Sequence, residues 1–200
     1  MQIESNERDD ALLKRSAKGD EQAFTELYRR HQAALFRFAT RMTGSSWAAE
    51  EIVQDVFMML VRDPQKYDAD RGTLGAFLYG VARNRIMKHL ERTPKSFSLD
   101  ESGDAGRDSH PQLQDQMTPA RWAEIGERRA QVRAAVLALP PEFREAVVLC
   151  ELEEMSYDEA ARALECPVGT IRSRLHRGRA LLLAKLEMLR EVPRRANASR

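Results

Sequence analysis

The 200-residue chain predicts an all-α protein: two small helical domains joined by a flexible linker, the C-terminal one a helix-turn-helix. Three observations carry that expectation. Apolar residues recur at spacings of three and four through nearly every periodic segment, and no strand alternation or internal repeat stands out. From Thr93 to about Pro119 the chain is rich in Ser, Asp, Gly, Gln and Pro without periodicity, which reads as a tether. From Ser156 to Arg179, SYDEAARALECPVGTIRSRLHRGR has the grammar of two helices around a tight turn, with four arginines and a histidine between Arg172 and Arg179. The expected divisions are an N-terminal domain at 1–92, a flexible acidic linker at 93–126 and a C-terminal domain at 127–200.

The elements follow in order. Gly19-Asp20 opens a helix with Ala23, Phe24, Leu27, Leu35, Phe38 and Met42 at helical spacing, and Gly44 ends it as a C-terminal glycine does. Ser46 reads as the N-cap of a second helix to about Arg62, which Asp63-Pro64 stops. On that helix Ile52, Val56, Met59 and Leu60 form one stripe. Val53, Phe57, Met58 and Val61 carry apolar surface around most of the remaining circumference, the pattern of either a central bundle helix or an interface. A polar loop from Gln65 to Gly72 follows, and Thr73 caps a third helix through about Arg92. Beyond the tether, a helix through Arg128 to Leu139 precedes Pro140-Pro141, and another runs from Pro141 to about Glu153. The tail after Val192 is expected to fray.

The helix-turn-helix can be read residue by residue. Ser156 with Glu159 three residues on is a capping box, which satisfies orphan N–H groups at a helix start. Ala160, Ala161, Ala163 and Leu164 keep that helix slim, so a second can cross it closely. Pro167 suits the first turn of the next helix, with Cys166 as its N-cap. At 100° per residue, Ile171, Leu175, Gly178 and Leu182 form a core stripe. Ser173, His176, Arg177 and Ala180 lie opposite, flanked by Arg172 and Arg179 on one edge and Arg174 on the other. Arg reads guanine bidentately, and Ser and His can donate or accept at base edges. A solvated basic face is the other meaning of such a run.

Hydrophobic content of 42% and charged content of 32% allow buried cores. No apolar run is long enough to cross a membrane, and the polar, acidic N-terminus carries no secretory signal, so a cytoplasmic protein without membrane insertion is expected. The net charge of +1 hides local polarity. From Glu142 to Glu159 there are seven acids and one base; from Arg172 onward, nine Lys/Arg and two acids; from Arg83 to Lys95, five Lys/Arg and one acid. Two separated basic patches suggest two contacts with a polyanion. Cys150 and Cys166 fit neither a CxxC nor a zinc pattern. Cys150, in AVVLC, reads as a small buried hydrophobe, and a redox role for either thiol is left open. No nucleophile–base pair, metal spacing or phosphate-binding glycine loop occurs, so an enzyme, a cofactor and a metal are not expected.

The segment GAFLYGVARNRIMKHLER sets Phe77 and Tyr79 just before a basic helix with Arg83, Asn84, Arg85, Lys88 and Arg92. Aromatics beside cations suit unstacked bases of a single strand, and an aromatic core under solvated bases would read the same. With this segment the chain resembles an extracytoplasmic-function (ECF) sigma factor of the sigma-70 family. The ordered set DEQAFTELYRRHQAALFRFA, AEEIVQDVFMMLVR, AFLYGVARNRIMKHLER, LPPEFREAVVLCELEEMSYDEAA and PVGTIRSRLHRGRALL carries the resemblance, which covers about 20–92 and 130–183.

The resemblance implies roles. The helix bearing Glu51, Gln54, Asp55, Phe57 and Met58 matches the segment that docks on the clamp coiled coil of the largest subunits of core RNA polymerase. The polymerase flap is a further expected contact. The loop from Tyr67 to Thr73 and the helix from Phe77 to Arg92 match the part that melts and reads the −10 element, with Asn84 and Lys88 at contact positions and Tyr67, Phe77, Tyr79 and Arg83 beside them. Ser173, His176 and Arg177 match the residues that read the −35 duplex, with Thr170, Arg172, Arg174 and Arg179 completing the DNA-facing set. Promoter DNA and an anti-sigma factor are the other implied partners. Two positions depart from the family pattern: Phe77 stands where Trp is frequent, and Glu165 replaces the usual glycine of the turn. Two rival classes remain open, a stand-alone helix-turn-helix regulator and an adaptor that binds only protein.

Overall fold

The computed structural model describes residues 8–92 and 118–197. These residues form only helices and short turns. Helices α1 (Asp9–Ser16), α2 (Glu21–Thr43), α3 (Ser46–Arg62) and α4 (Leu74–Arg92) make an N-terminal unit. Helices α5 (Pro119–Leu137), α6 (Pro141–Val147), α7 (Tyr157–Ala163) and α8 (Val168–Asn197) make a C-terminal one. The expected tether from Thr93 to Met117 lies outside the described residues.

The caps explain the boundaries. Asp20 accepts from the N–H groups of Gln22 and Ala23 to start α2, and Gly44, at φ 77°, ends it in the left-handed region. The cap of α3 is Ser45, which accepts from Ala48, one residue before the expected Ser46. The expected polar loop is two 3₁₀ turns, Pro64–Lys66 and Ala69–Arg71. Thr73 caps α4, its Oγ1 accepting from Ala76 at 3.2 Å.

In the C-terminal unit, α5 begins at Pro119, well before Arg128. Thr118 accepts from the N–H of Arg121, and Pro119 takes the first turn, where its missing donor costs nothing. The helix expected from Pro141 to Glu153 is α-helical only to Val147 and continues as a π-helical turn over Val148–Leu152. Helix α8 continues through Pro193 to Asn197, past the expected fraying point at Val192; a proline removes one N–H from the ladder without having to end it.

The turn of the helix-turn-helix is a Schellman motif. The Cys166 N–H donates to Ala161 O at 3.0 Å and the Glu165 N–H to Arg162 O at 3.2 Å. Glu165 takes the left-handed position at φ 49°. Pro167, expected inside α8, stands at its cap, its carbonyl accepting from Thr170 and Ile171, so Cys166 belongs to the turn. A side chain in the left-handed region costs roughly 1 kcal/mol that glycine avoids. Glu165→Gly is therefore expected to stabilise the C-terminal unit by about 0.5–1 kcal/mol, read as a higher denaturation midpoint at unchanged slope.

The two units share a core. Leu27, Leu35, Phe38, Val56, Leu78 and Ile86 of the first join Val136, Val148, Leu149, Ala160, Leu164 and Ile171 of the second in one continuous buried cluster. Leu139, Ala146, Val147 and Leu175 form a smaller core beside it.

Candidate nucleic-acid and partner-binding surfaces

Helix α8 presents the faces its sequence demands. Ile171 and Leu175 are buried, Gly178 is pressed against Val147 and Phe143 of α6, and Leu182 is half-buried. Ser173, His176 and Arg177 are exposed on the other side, with Arg172 beside them. Arg172 and Arg177 make no ion pair among the described residues. Arg174 and Thr170 are half-buried, and the Ser173 hydroxyl donates to Thr170 O at 3.0 Å. Arg179 is exposed and paired with Glu151, Nε donating at 3.1 Å. Helix α7 is fixed by the full capping box: Glu159 N–H donates to Ser156 Oγ at 3.3 Å, and Ser156 N–H to the Glu159 carboxylate at 3.2 Å.

A second surface lies between the end of α3, the first 3₁₀ turn and α4. Met59, Lys66, Phe77, Val81, Asn84, Arg85 and Lys88 line a concavity there. Tyr67 packs on Phe77 with ring centroids 5.7 Å apart, and its hydroxyl donates to Gly72 O at 3.1 Å. Asn84 and Lys88 are exposed. Tyr79 and Arg83 are not brought to this surface. Tyr79 is 8% exposed, packed edge-on against Phe38, and its hydroxyl donates to Glu153. Burial, reinforced by Glu153, pushes its pKa well above the ordinary phenol value. Arg83 pairs with Glu145 at 2.8 Å, and burial pushes the Glu145 carboxyl up despite that partner.

A third surface is an apolar groove between α2 and α3. Phe24, Tyr28, Gln32 and Phe36 form one wall, and Glu50, Val53, Gln54, Phe57, Met58 and Val61 the other. Tyr28 and Phe57 lie 4.7 Å apart by ring centroid, with Phe24 edge-on to Phe57 at 6.2 Å. Met58 and Val61 are 64% and 55% exposed, so the apolar surface of the groove continues onto the outer side of α3. Glu51 and Asp55 are exposed on the same helix, and Asp55 reaches Arg85 at 3.6 Å. The α2 wall was not singled out in the sequence: Phe24 reads there as core, and Tyr28 and Phe36 need the neighbouring helix to define them. Cys150 is half-buried, and burial pushes its thiol up to about 11, so little thiolate is available for redox chemistry at neutral pH. No described helix is long and apolar enough to cross a membrane.

Among the described residues the chain is all-helical and carries a capped helix-turn-helix whose outer face is exposed and cationic. The comparisons are specific. The family described as Sigma-70 region 2 matches residues 27–95, and Sigma-70, region 4 matches residues 129–182. The chain is 34% identical over 171 residues to the ECF RNA polymerase sigma factor SigE of Mycolicibacterium smegmatis, covering 83% of this chain and 63% of that one. It is 30% identical over 193 residues to the RNA polymerase sigma-H factor of Pseudomonas aeruginosa, covering 94% and 99%. The fold matches CnrH, solved with the cytosolic domain of CnrY, at a TM-score of 0.67 and 24% identity over 91% of this chain and 99% of that one. It also matches the sigma factor RpoE of Bartonella quintana, solved with the anti-sigma factor NepR, at 0.59 and 25% over 82% and 96%. The chain belongs to the sigma-70 family, in its ECF branch.

Proposed function

We propose that this chain is a dissociable specificity subunit of bacterial RNA polymerase, acting in the cytoplasm and performing no bond chemistry of its own. The observation that carries the reading is the coexistence, on one chain, of an exposed basic helix face and a separate apolar groove between α2 and α3. The N-terminal domain, 1–92, docks through the α2–α3 groove on the clamp coiled coil and holds melted −10 bases on the Phe77–Lys88 surface. Stacking on aromatics is worth about 1–3 kcal/mol per base and offsets the few kcal/mol of unstacking. The C-terminal domain, 127–200, reads −35 duplex with Ser173, His176 and Arg177, and meets the polymerase flap. An anti-sigma partner belongs to this reading, supported by the similarity to RpoE, a sigma factor solved with one.

The test is transcription in vitro with purified core polymerase, with and without this protein, on fragments of the source genome. Discrete start sites that need both components support the reading, and their alignment gives both promoter elements. A duplex footprint by the protein alone, without core-dependent starts, identifies a stand-alone regulator instead. Within the −35 contact, Arg177→Ala is expected to cost about 1–3 kcal/mol and relax selectivity at one position. Arg172→Ala is expected to weaken all sequences alike and to lower the salt slope by about one. Titrations of promoter variants at several salt concentrations separate the two.

A further inference from the structure

Two arginines share one edge of α8, beside the face that carries Ser173, His176 and Arg177. Arg172 and Arg179 are two turns apart, so at 100° per residue they differ by only about 20° around the helix and lie about 10.5 Å apart along it. Both are exposed, but they are not equally available. Arg172 makes no ion pair among the described residues. Arg179 donates from Nε to Glu151 Oε1 at 3.1 Å and from Nη2 to the same oxygen. Tyr157, the first residue of α7, stands against the same guanidinium. Glu151 is delivered to α8 by a fixed backbone. It lies in the π-helical turn Val148–Leu152, whose Val148 and Leu149 are buried. The N–H groups of Glu153 and Met155 close that turn on Val148 O and Leu149 O, each at 3.0 Å.

We infer that Glu151 sets how tightly the chain holds duplex by withholding Arg179 from the phosphate backbone, so that this edge of α8 offers one cation, Arg172, instead of two. The inference rests on the −35 reading of α8 given above. A phosphate that approaches Arg179 also approaches the Glu151 carboxylate, and attraction to the one is offset by repulsion from the other. The two side chains are 55% and 38% exposed, so their pairing contributes little to the stability of the fold. Its effect on an arriving polyanion is the larger one. Tyr157 can hydrogen-bond the guanidinium but, as a neutral phenol, does not cancel its charge. Backbone contacts add affinity for every sequence alike, whereas contacts to base edges choose among sequences. With one phosphate contact fewer, the many unrelated duplex sites are held less tightly, while Ser173, His176 and Arg177 keep their access to base edges.

The test uses holoenzyme reconstituted from core polymerase and the full-length chain. It is titrated, at several salt concentrations, with fluorescent duplexes that carry a mapped promoter with its −35 element intact or scrambled. Glu151→Gln, Arg179→Ala and their combination are compared with the unsubstituted chain, and circular dichroism checks helix content. Glu151→Gln is expected to bind both duplexes about eightfold tighter at about 0.1 M salt, the counterion-release gain of one phosphate, and to steepen the salt slope by about 0.9. Glu151→Ala, whose side chain accepts no hydrogen bond, is expected to behave alike. Arg179→Ala alone is expected to change neither quantity, and in the double variant to remove the whole gain. A merely structural pair would instead leave Glu151→Gln with equal or weaker binding and an unmoved slope. That result overturns the inference, as does a gain that survives the loss of Arg179. So does a flatter slope for Arg179→Ala alone, which would mean that Arg179 already holds a phosphate. Equal affinity of the unsubstituted holoenzyme for the intact and scrambled duplexes would remove the −35 reading itself.

Discussion

Met58→Asp is expected to weaken binding of core polymerase at least a hundredfold while leaving the free protein folded. Met58 is 64% exposed beside the α2–α3 groove, so in the free chain the new carboxylate meets water and stability changes by no more than about 0.5 kcal/mol. Once a partner helix covers the groove, the same carboxylate is desolvated against Val61 and Phe57, and Arg62, one turn along α3, is already paired with Asp63. A penalty of about 2.7 kcal/mol is enough for the hundredfold loss, and unpaired buried charges cost more than that. Phe57→Ala would not separate binding from folding. Phe57 is 4% exposed and packs on Tyr28 and Phe24, so its truncation is expected to cost about 3–5 kcal/mol of stability. Titration of dye-labelled protein with core polymerase, alongside a thermal melt, measures both quantities. Undiminished affinity at unchanged melting would remove the groove from the docking role.

Where the determinants are local, the sequence was legible. The capping box of Ser156 and Glu159 and the core stripe of Ile171 and Leu175 are each decided within a few residues, and both are present. Tyr79 shows the opposite case. In sequence it stands beside Phe77 as a second aromatic before a basic helix, but two residues along a helix is a turn of about 200°, so the two rings face opposite sides. Phe77 packs on Tyr67, and Tyr79 on Phe38 and Glu153. The side that is buried depends on the C-terminal unit, which sequence periodicity does not reveal. The pairing of Glu153 with Arg37 and Arg41 spans more than a hundred residues, and an acidic stretch reads as a solvated face until its partner is known. The start of α5 was hidden differently: Thr118-Pro119 is a sound cap, but it closes a segment whose composition speaks for a tether.

Arg144→Met is expected to destabilise the protein strongly. The Arg144 guanidinium is 5% exposed and donates to three carbonyls, those of Met42, Leu137 and Leu139, the last at 2.9 Å. Met42 and Leu137 stand at the C-terminal ends of α2 and α5, where helix carbonyls have no partner of their own and the dipoles favour a cation. One side chain therefore caps two helices, one from each unit. Burial pulls its pKa below the ordinary arginine value, with Glu145 opposing, but a guanidinium has ample margin to stay charged at neutral pH. Methionine keeps much of the volume and donates nothing, leaving carbonyls that each cost about 1–3 kcal/mol when buried without a donor. A loss of about 3–5 kcal/mol is expected in denaturant unfolding. Because the Met42 bond crosses between units, the transition should also broaden or split as they uncouple. Arg144→Lys, a point charge that cannot fork to three acceptors, is expected to fall between the two. A loss below 1 kcal/mol for Arg144→Met, with one sharp transition, would mean that water reaches those carbonyls and that the apolar core and the Arg83–Glu145 and Arg37–Glu153 pairs suffice to join the two units.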